Sequence, residues 1–118
     1  MKKFLAIYIA TGDALKSAKW NELDKEKRAA LEASGIQAWM EWAKANSTAL
    51  VDYGGPLGKT KSASTQGITD IQNSMAGYVI VQAESHEAAA RLFENHPHFS
   101  IFPGDSVEIM ECLPLPGA

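Results

Sequence analysis

Gly77-Tyr78-Val79-Ile80-Val81-Gln82-Ala83 is a short apolar run rich in β-branched and aromatic residues, and it reads as a strand. Along it Tyr78 and Ile80 point one way and Val79 and Val81 the other, so neither side is made for water. Two residues later Ser85 is a helix N-cap, and Ala89, Leu92 and Phe93 follow the i, i+3, i+4 spacing of a helix face. Pro97 is expected to end that helix, because the residue before a proline is pushed out of the α region. A strand that needs cover on both faces, followed by a helix that covers one, is the unit from which the rest is read.

The unit has a counterpart at the N-terminal end. Residues 4–10 form a buried strand, with Phe4, Ala6 and Tyr8 on one side, Leu5, Ile7 and Ile9 on the other, and Gly12-Asp13 closing it. The span 13–33 favours two short helices, with Asp13 and Asp24 as N-caps and Ser34-Gly35 as an interruption. Over 36–46 the helical wheel places Ile36, Trp39, Met40 and Ala43 on one face, with Trp42 at its edge, which makes this the main packing helix. A short strand over 50–53 runs into Gly54-Gly55-Pro56-Leu57-Gly58, which reads as a turn. The polar stretch 59–73 is a loose edge strand or a long loop. After the Pro103-Gly104 turn a last strand covers 106–113, with Val107, Ile109 and Met110 apolar, and 114–118 is a tail.

This order predicts a single α+β domain over 1–113, ferredoxin-like, with an antiparallel sheet and its helices on one face. The second apolar face of the sheet then has to find another chain, and a symmetric dimer, sheet against sheet, is the simplest solution. Glu108 falls on that inner face and needs solvent, a cation or a polar cavity between the sheets.

Bulk properties narrow the function classes. The chain of 118 residues is the size of one domain, and its formal charge of −3, with basic residues scattered from Lys2 to Arg91, argues against nucleic acid as a partner. The single Cys112 reads as an inert strand residue, since its neighbours offer no cationic setting. Lys2-Lys3 and the apolar run after it are too short for a convincing signal peptide, and no run approaches a membrane span, so the cytoplasm is the expected location.

The combination Asp52-Tyr53-Gly54-Gly55-Pro56-Leu57, Ala76-Gly77-Tyr78-Val79-Ile80-Val81, Ser85 with Ala88-Ala89 leading to His96-Pro97, and Val107-Glu108-Ile109 resembles the YCII-related proteins and their DGPF-type relatives. The resemblance runs from the Gly-Pro turn to the last strand. It implies membership of the dimeric α/β-barrel superfamily: a ferredoxin-like fold and a homodimer whose sheets enclose a cavity. Most members have no established activity, and no cofactor is expected. The His of the first helical segment discussed for such proteins has no counterpart, since no histidine precedes His86, and the Asp-Gly-Pro-Phe signature is reduced to Asp70-Ile71-Gln72-Asn73.

Several residues are candidates for chemistry. His96, held extended before Pro97 near the end of a helix, is either a general acid or base or a loop histidine that terminates the helix. Asp52 either faces a cavity or bonds to the amides of the turn that follows it. Trp39 and Tyr53 can line a pocket with Gly55, Pro56 and Glu108, although the helical spacing of Trp39 also suits a core residue. Gly58-Lys59-Thr60 imitates the end of a phosphate-binding loop, but Tyr53 stands where that motif needs its first glycine. His86, His96 and His98 are too few and too loosely spaced to imply a metal.

The expected function is a cytoplasmic homodimer that binds a small organic molecule in a cavity between the sheets, with His96 near its mouth and acid/base chemistry within reach. The rival is a non-enzymatic interaction or regulatory module whose interface is packed solid by such side chains as Tyr8, Tyr78 and Met110.

Overall fold

Strict alternation of apolar side chains in the first strand puts it at the centre of the structure, a computed structural model that describes residues 1–13 and 19–117. Strand β1 (Lys2–Ile9) pairs antiparallel with β5 (Met75–Ala83) on one side and with β6 (Ser106–Glu111) on the other. Strand β2 (Leu50–Pro56) adds to the far side of β5, which gives the order β2-β5-β1-β6. With the connecting helices counted, this is the ferredoxin-like order expected. The register sets Phe4 opposite Val81 and Ala6 opposite Val79, and these four, with Tyr8, are buried on one face.

That face is covered by helix α1 (Lys25–Ala45), helix α2 (His86–Arg91) and the short helix α3 (Pro97–Ser100). Asp24 caps α1 by accepting a hydrogen bond from the Lys27 amide at 2.8 Å, and Ser85 caps α2 through the Ala88 amide at 3.1 Å. Such caps satisfy amides that a helix start leaves without partners and are worth about 1 kcal/mol each. Trp39, Trp42 and Ala43 of α1 pack against the core, together with Leu92, Val107 and Ile109.

Several sequence expectations are corrected. Ser34-Gly35 does not interrupt the helix: α1 runs unbroken for 21 residues, and Gly35 is buried against Phe102. A Cβ at Gly35 would lie 2.5 Å from the Phe102 ring, so this glycine serves a close approach and not a break. Of the first of the two short helices expected over 13–33, residues 14–18 lie outside the described residues, and the described residues between these and Asp24 hold one 3-10 turn, Trp20–Glu22. Residues 54–56 do not leave the sheet; β2 continues through Pro56 with two irregularities in its register, and Gly54, at φ +61°, absorbs the distortion. Pro97 does not merely end a helix; it occupies the first turn of α3, where its missing N–H costs nothing, and His96 is the cap.

The polar stretch 59–73 is neither a loop nor an edge of the main sheet. Strands β3 (Thr60–Ser64) and β4 (Gly67–Ile71) pair with each other in a separate two-stranded sheet, linked by the Lys61–Asp70 ion pair at 2.6 Å. This ribbon extends from the β2–β5 end of the molecule. The radius of gyration is 16.3 Å, against about 13.5 Å for a compact chain of this length.

Candidate functional site

The site is built around Tyr8, at the point where β1, α1 and α3 meet. Alternation directs Tyr8 to the helix-bearing face, where it is 5% exposed. It therefore cannot fill an interface on the opposite face, as the interaction-module reading supposed. Trp39 comes down from α1 with its ring centroid 4.8 Å from that of Tyr8. His96 and His98 approach from the other side, at 5.1 and 5.2 Å.

His96 is fully buried and enclosed by the rings of Tyr8, Trp39, Trp42 and Phe93, all with centroids within 6 Å. Its backbone is extended, φ −59° and ψ 142°, as a residue before proline requires. Burial first, and then the neighbouring charge of His98, lower its pKa to about 4, so the ring is neutral at neutral pH. Its Nδ1 lies 3.0 Å from the backbone nitrogen of His98. A backbone N–H can only donate, so Nδ1 is the acceptor and Nε2 carries the proton. That Nε2–H faces the Tyr8 hydroxyl oxygen at 3.3 Å. Burial pushes the Tyr8 phenol up from its ordinary range, so the hydroxyl stays protonated.

His98 is fixed differently. Its Nε2–H donates to the Ile9 carbonyl at 2.7 Å, and the Gly104 amide donates to the His98 carbonyl at 2.9 Å. In the neutral ring, Nδ1 then keeps its lone pair, and it has no partner among the described residues. The indole N–H of Trp42 donates to the Leu92 carbonyl at 2.7 Å, whereas that of Trp39 is unspent among the described residues.

Tyr8, Trp39, Trp42 and His98 form the floor of a cleft of about 500 Å³ between α1 and the β2–β5 edge of the sheet. Its walls are Ile36, Met40 and Ala43 from α1, Leu50, Tyr53, Gly55 and Pro56 from β2, Gly77 and Val79 from β5, and Phe102. No carboxylate, ammonium or guanidinium lines it among the described residues. The helix face expected to be core is therefore only half used: Trp39 and Ala43 are packed, while Ile36 and Met40, 56% and 65% exposed, form the rim.

Of the residues singled out from the sequence, Trp39, Tyr53, Gly55 and Pro56 come together in this cleft. His96 sits behind Tyr8 and does not reach it directly. Asp52 lies opposite Ile80, exposed, and accepts a hydrogen bond from the Gly54 amide at 2.8 Å, which is the turn-bonding alternative. Glu108 is exposed and pairs across from Ile7, on the face without helices. His86 is remote from the other two histidines in its bonding, donating to the Ile109 carbonyl at 2.7 Å and stacking on Phe4. A cavity between two sheets would need a second copy; the cleft of the single chain lies on the opposite, helix-bearing face.

Tyr8 and His98 are the polar groups that sequence reasoning did not place here. The signal was present in His96-Pro97-His98: a proline at the start of a helix makes the residue before it a cap and brings the residue after it onto the same local frame. The alternation of β1 likewise assigns Tyr8 to the helix side.

Comparisons with known proteins give the fold independently. No family model matches the chain, and no curated protein matches it. Among solved structures it is similar to the 5-chloro-2-hydroxyhydroquinone dehydrochlorinase of Burkholderia phenoliruptrix AC1100, determined in complex with 2,5-dihydroxybenzoquinone. The likeness has a TM-score of 0.55 at 14% sequence identity and covers 94% of this chain and 93% of the other. The fold is therefore α+β, with an antiparallel sheet and helices, and the described residues hold an open sheet and no closed barrel.

Proposed function

We propose that the chain is a YCII-related protein, a cytoplasmic homodimer joined sheet against sheet, that binds a small organic molecule in the cleft above Tyr8. The observation that carries this reading is the cleft itself: about 500 Å³ of space with mostly apolar walls and a few converging polar groups. That combination suits a small-molecule site, because the apolar walls supply affinity and the few polar atoms fix orientation. The similar dehydrochlorinase was solved with a small quinone bound, which supports a ligand of that size on this fold.

The dimer is supported by the other face of the sheet. Leu5, Ile7, Ile9, Tyr78 and Ile80 alternate onto that face and are only half-buried in the single chain, an apolar surface of the kind that marks an interaction site. Acid/base chemistry is within reach of two atoms: the lone pair on His98 Nδ1, which can take a proton, and the Tyr8 hydroxyl, which can donate a hydrogen bond. His96 serves through Tyr8. Asp52 and Glu108 have no role in the cleft.

The test is a thermal-denaturation screen of small phenols and quinones, combined with sedimentation at micromolar concentration. A compound present at a hundred times its dissociation constant stabilises the fold by about 2.7 kcal/mol. We expect such a shift, abolished in Trp39→Ala, and a mass of twice the 12.8 kDa chain. A single-chain mass sinks the dimer, and a shift unaltered by Trp39→Ala sinks the cleft as the site.

An interaction module is the second reading, and the β3–β4 ribbon favours it. Among the described residues its strands pair only with each other, and most of its residues are exposed. An isolated two-stranded ribbon gains little stability by itself. Deleting 60–71 while retaining both ligand binding and the dimer would leave the ribbon to a separate partner.

A further inference from the structure

We infer that His96 is a positioning residue that makes Tyr8 an obligate hydrogen-bond donor, so that the cleft selects uncharged ring compounds presenting a carbonyl oxygen to the Tyr8 hydroxyl. The inference deepens the reading of the cleft as a ligand site and depends on it.

A phenol can donate one hydrogen bond and accept others, and in most pockets its hydroxyl turns to suit the ligand. Here that freedom is removed in two steps. The His98 amide occupies His96 Nδ1 at 3.0 Å, which leaves the single ring proton on Nε2. Nε2–H then points at the Tyr8 oxygen, 3.3 Å away, so the oxygen accepts and the hydroxyl hydrogen is not spent on His96. No acceptor for that hydrogen exists among the described residues, and Tyr8 lines the cleft. His96 cannot reverse its role by rotating, because its ring is fully buried among Trp39, Trp42 and Phe93. It cannot readily become a second donor through Nδ1 either, because the His98 amide would then face another N–H.

The ligand follows from this polarity. A group that can only accept, such as a carbonyl oxygen, completes the Tyr8 hydrogen bond, whereas an alkyl group at the same place leaves a buried donor unsatisfied. Because no charged side chain lines the cleft among the described residues, a charged ligand would lose its hydration without compensation. The lone pair on His98 Nδ1, on a ring 5.2 Å from that of Tyr8, can take a hydroxyl on the same molecule.

The experiment has two arms. In the first, long-range proton–nitrogen NMR spectra of the ligand-free protein read the His96 tautomer near neutral pH. The expected result is an unprotonated Nδ1 and a protonated Nε2; the opposite tautomer overturns the inference whatever binds. In the second, 4-hydroxyacetophenone and 4-ethylphenol, which differ by one carbonyl oxygen, are titrated into the protein and followed at the Trp39 and His98 resonances. We expect the ketone to bind roughly tenfold more tightly, the worth of one buried hydrogen bond.

Tyr8→Phe should abolish that preference. His96→Asn should reduce it, because asparagine keeps the cap on the His98 amide and loses the donor to Tyr8; His96→Gln, whose amide reaches the Nε2 position, should restore part of it. Equal binding of the two probes to the native protein, or a preference that survives Tyr8→Phe, refutes the role given to Tyr8 and leaves the cleft as a site. Failure of both probes to move either resonance at millimolar concentration sinks the cleft reading and the inference with it.

Discussion

On the helix-bearing face of the sheet, Phe4, Ala6, Val79 and Val81 are sealed by α1, α2 and the segment leading to α3; on the opposite face Leu5, Ile7, Tyr78 and Ile80 are only half-buried. The same alternation generates both sets, and the two are almost equally apolar. What separates them is the supply of cover. The crossovers that carry the helices both return on one side, so the chain can close only one of the two faces it makes. Where the closure is incomplete, between Ile36, Met40 and the β2 edge, the cleft appears. An open face that is broad and flat suits a second copy of the chain, whereas a concave gap with polar atoms in its floor suits a small molecule.

That contrast can be broken most sharply at Phe4 and Ile7, residues of one strand with opposite outlooks. Phe4→Ala should cost about 3–5 kcal/mol in chemical denaturation, the usual consequence of a cavity in a sealed core. Ile7→Ala, read at concentrations low enough to dissociate a dimer, should cost less than half of that. Equal losses would mean that the open face is as well packed within one chain as the helix side.

Acid should act on the helix-bearing face through His96. His96 has a pKa near 4 in the folded chain against the usual 6.5, so the unfolded chain binds its proton first as the pH falls. Its contribution to stability is complete above pH 6.5 and is lost as the pH drops toward 4, with a total of about 3 kcal/mol. The titratable groups that face it are Tyr8 from β1 and His98 from α3; Trp39, Trp42 and Phe93 complete the enclosure without charge. Unfolding free energies measured from pH 7 to pH 4 should show the decline, and His96→Gln should flatten it. A native protein with a flat profile would contradict the burial that defines this site.

The smallest effect on stability belongs to the open face. Ile80→Asp introduces a carboxylate beside Ile7 and Leu5 where a single chain leaves it in contact with water. Monomer stability should change by no more than about 1 kcal/mol, while sedimentation should fall to the mass of one chain. A variant that stays dimeric would place the interface elsewhere, with the β3–β4 ribbon the next surface to alter.

Much of the fold was legible. Alternation in 4–10 and 77–83 identified the two central strands and divided their residues into two sets on opposite sides, but not which set meets the helices, since a period of two fixes the side only once one residue is placed. Asp24 and Ser85 marked their helix starts correctly, since a cap is a local interaction between a side chain and an amide three residues on. Gly35 misled because a glycine in a helix reads as a break, and its actual reason, the ring of Phe102, lies 67 residues along the chain. The polar stretch 59–73 misled in the opposite sense: its strands carry little apolar patterning because neither side of the ribbon is buried in the chain.

The site was legible only in part. Trp39, Tyr53, Gly55 and Pro56, expected to line a pocket, come together in the cleft, whereas His96, expected near the mouth of a cavity, lies behind Tyr8. Charge, hydropathy and spacing determined by themselves the class of fold, the pair of apolar faces and the extended backbone of His96 before Pro97. Tertiary structure alone decided which nitrogen of His96 carries a proton, that His98 and not His96 borders the cleft, and that the cleft lies under the helices. These follow from contacts between residues some ninety positions apart, such as Tyr8 with His96 and Ile9 with His98. No local pattern records such contacts, because the directions in which buried donors and acceptors point are set only when the elements that carry them have packed.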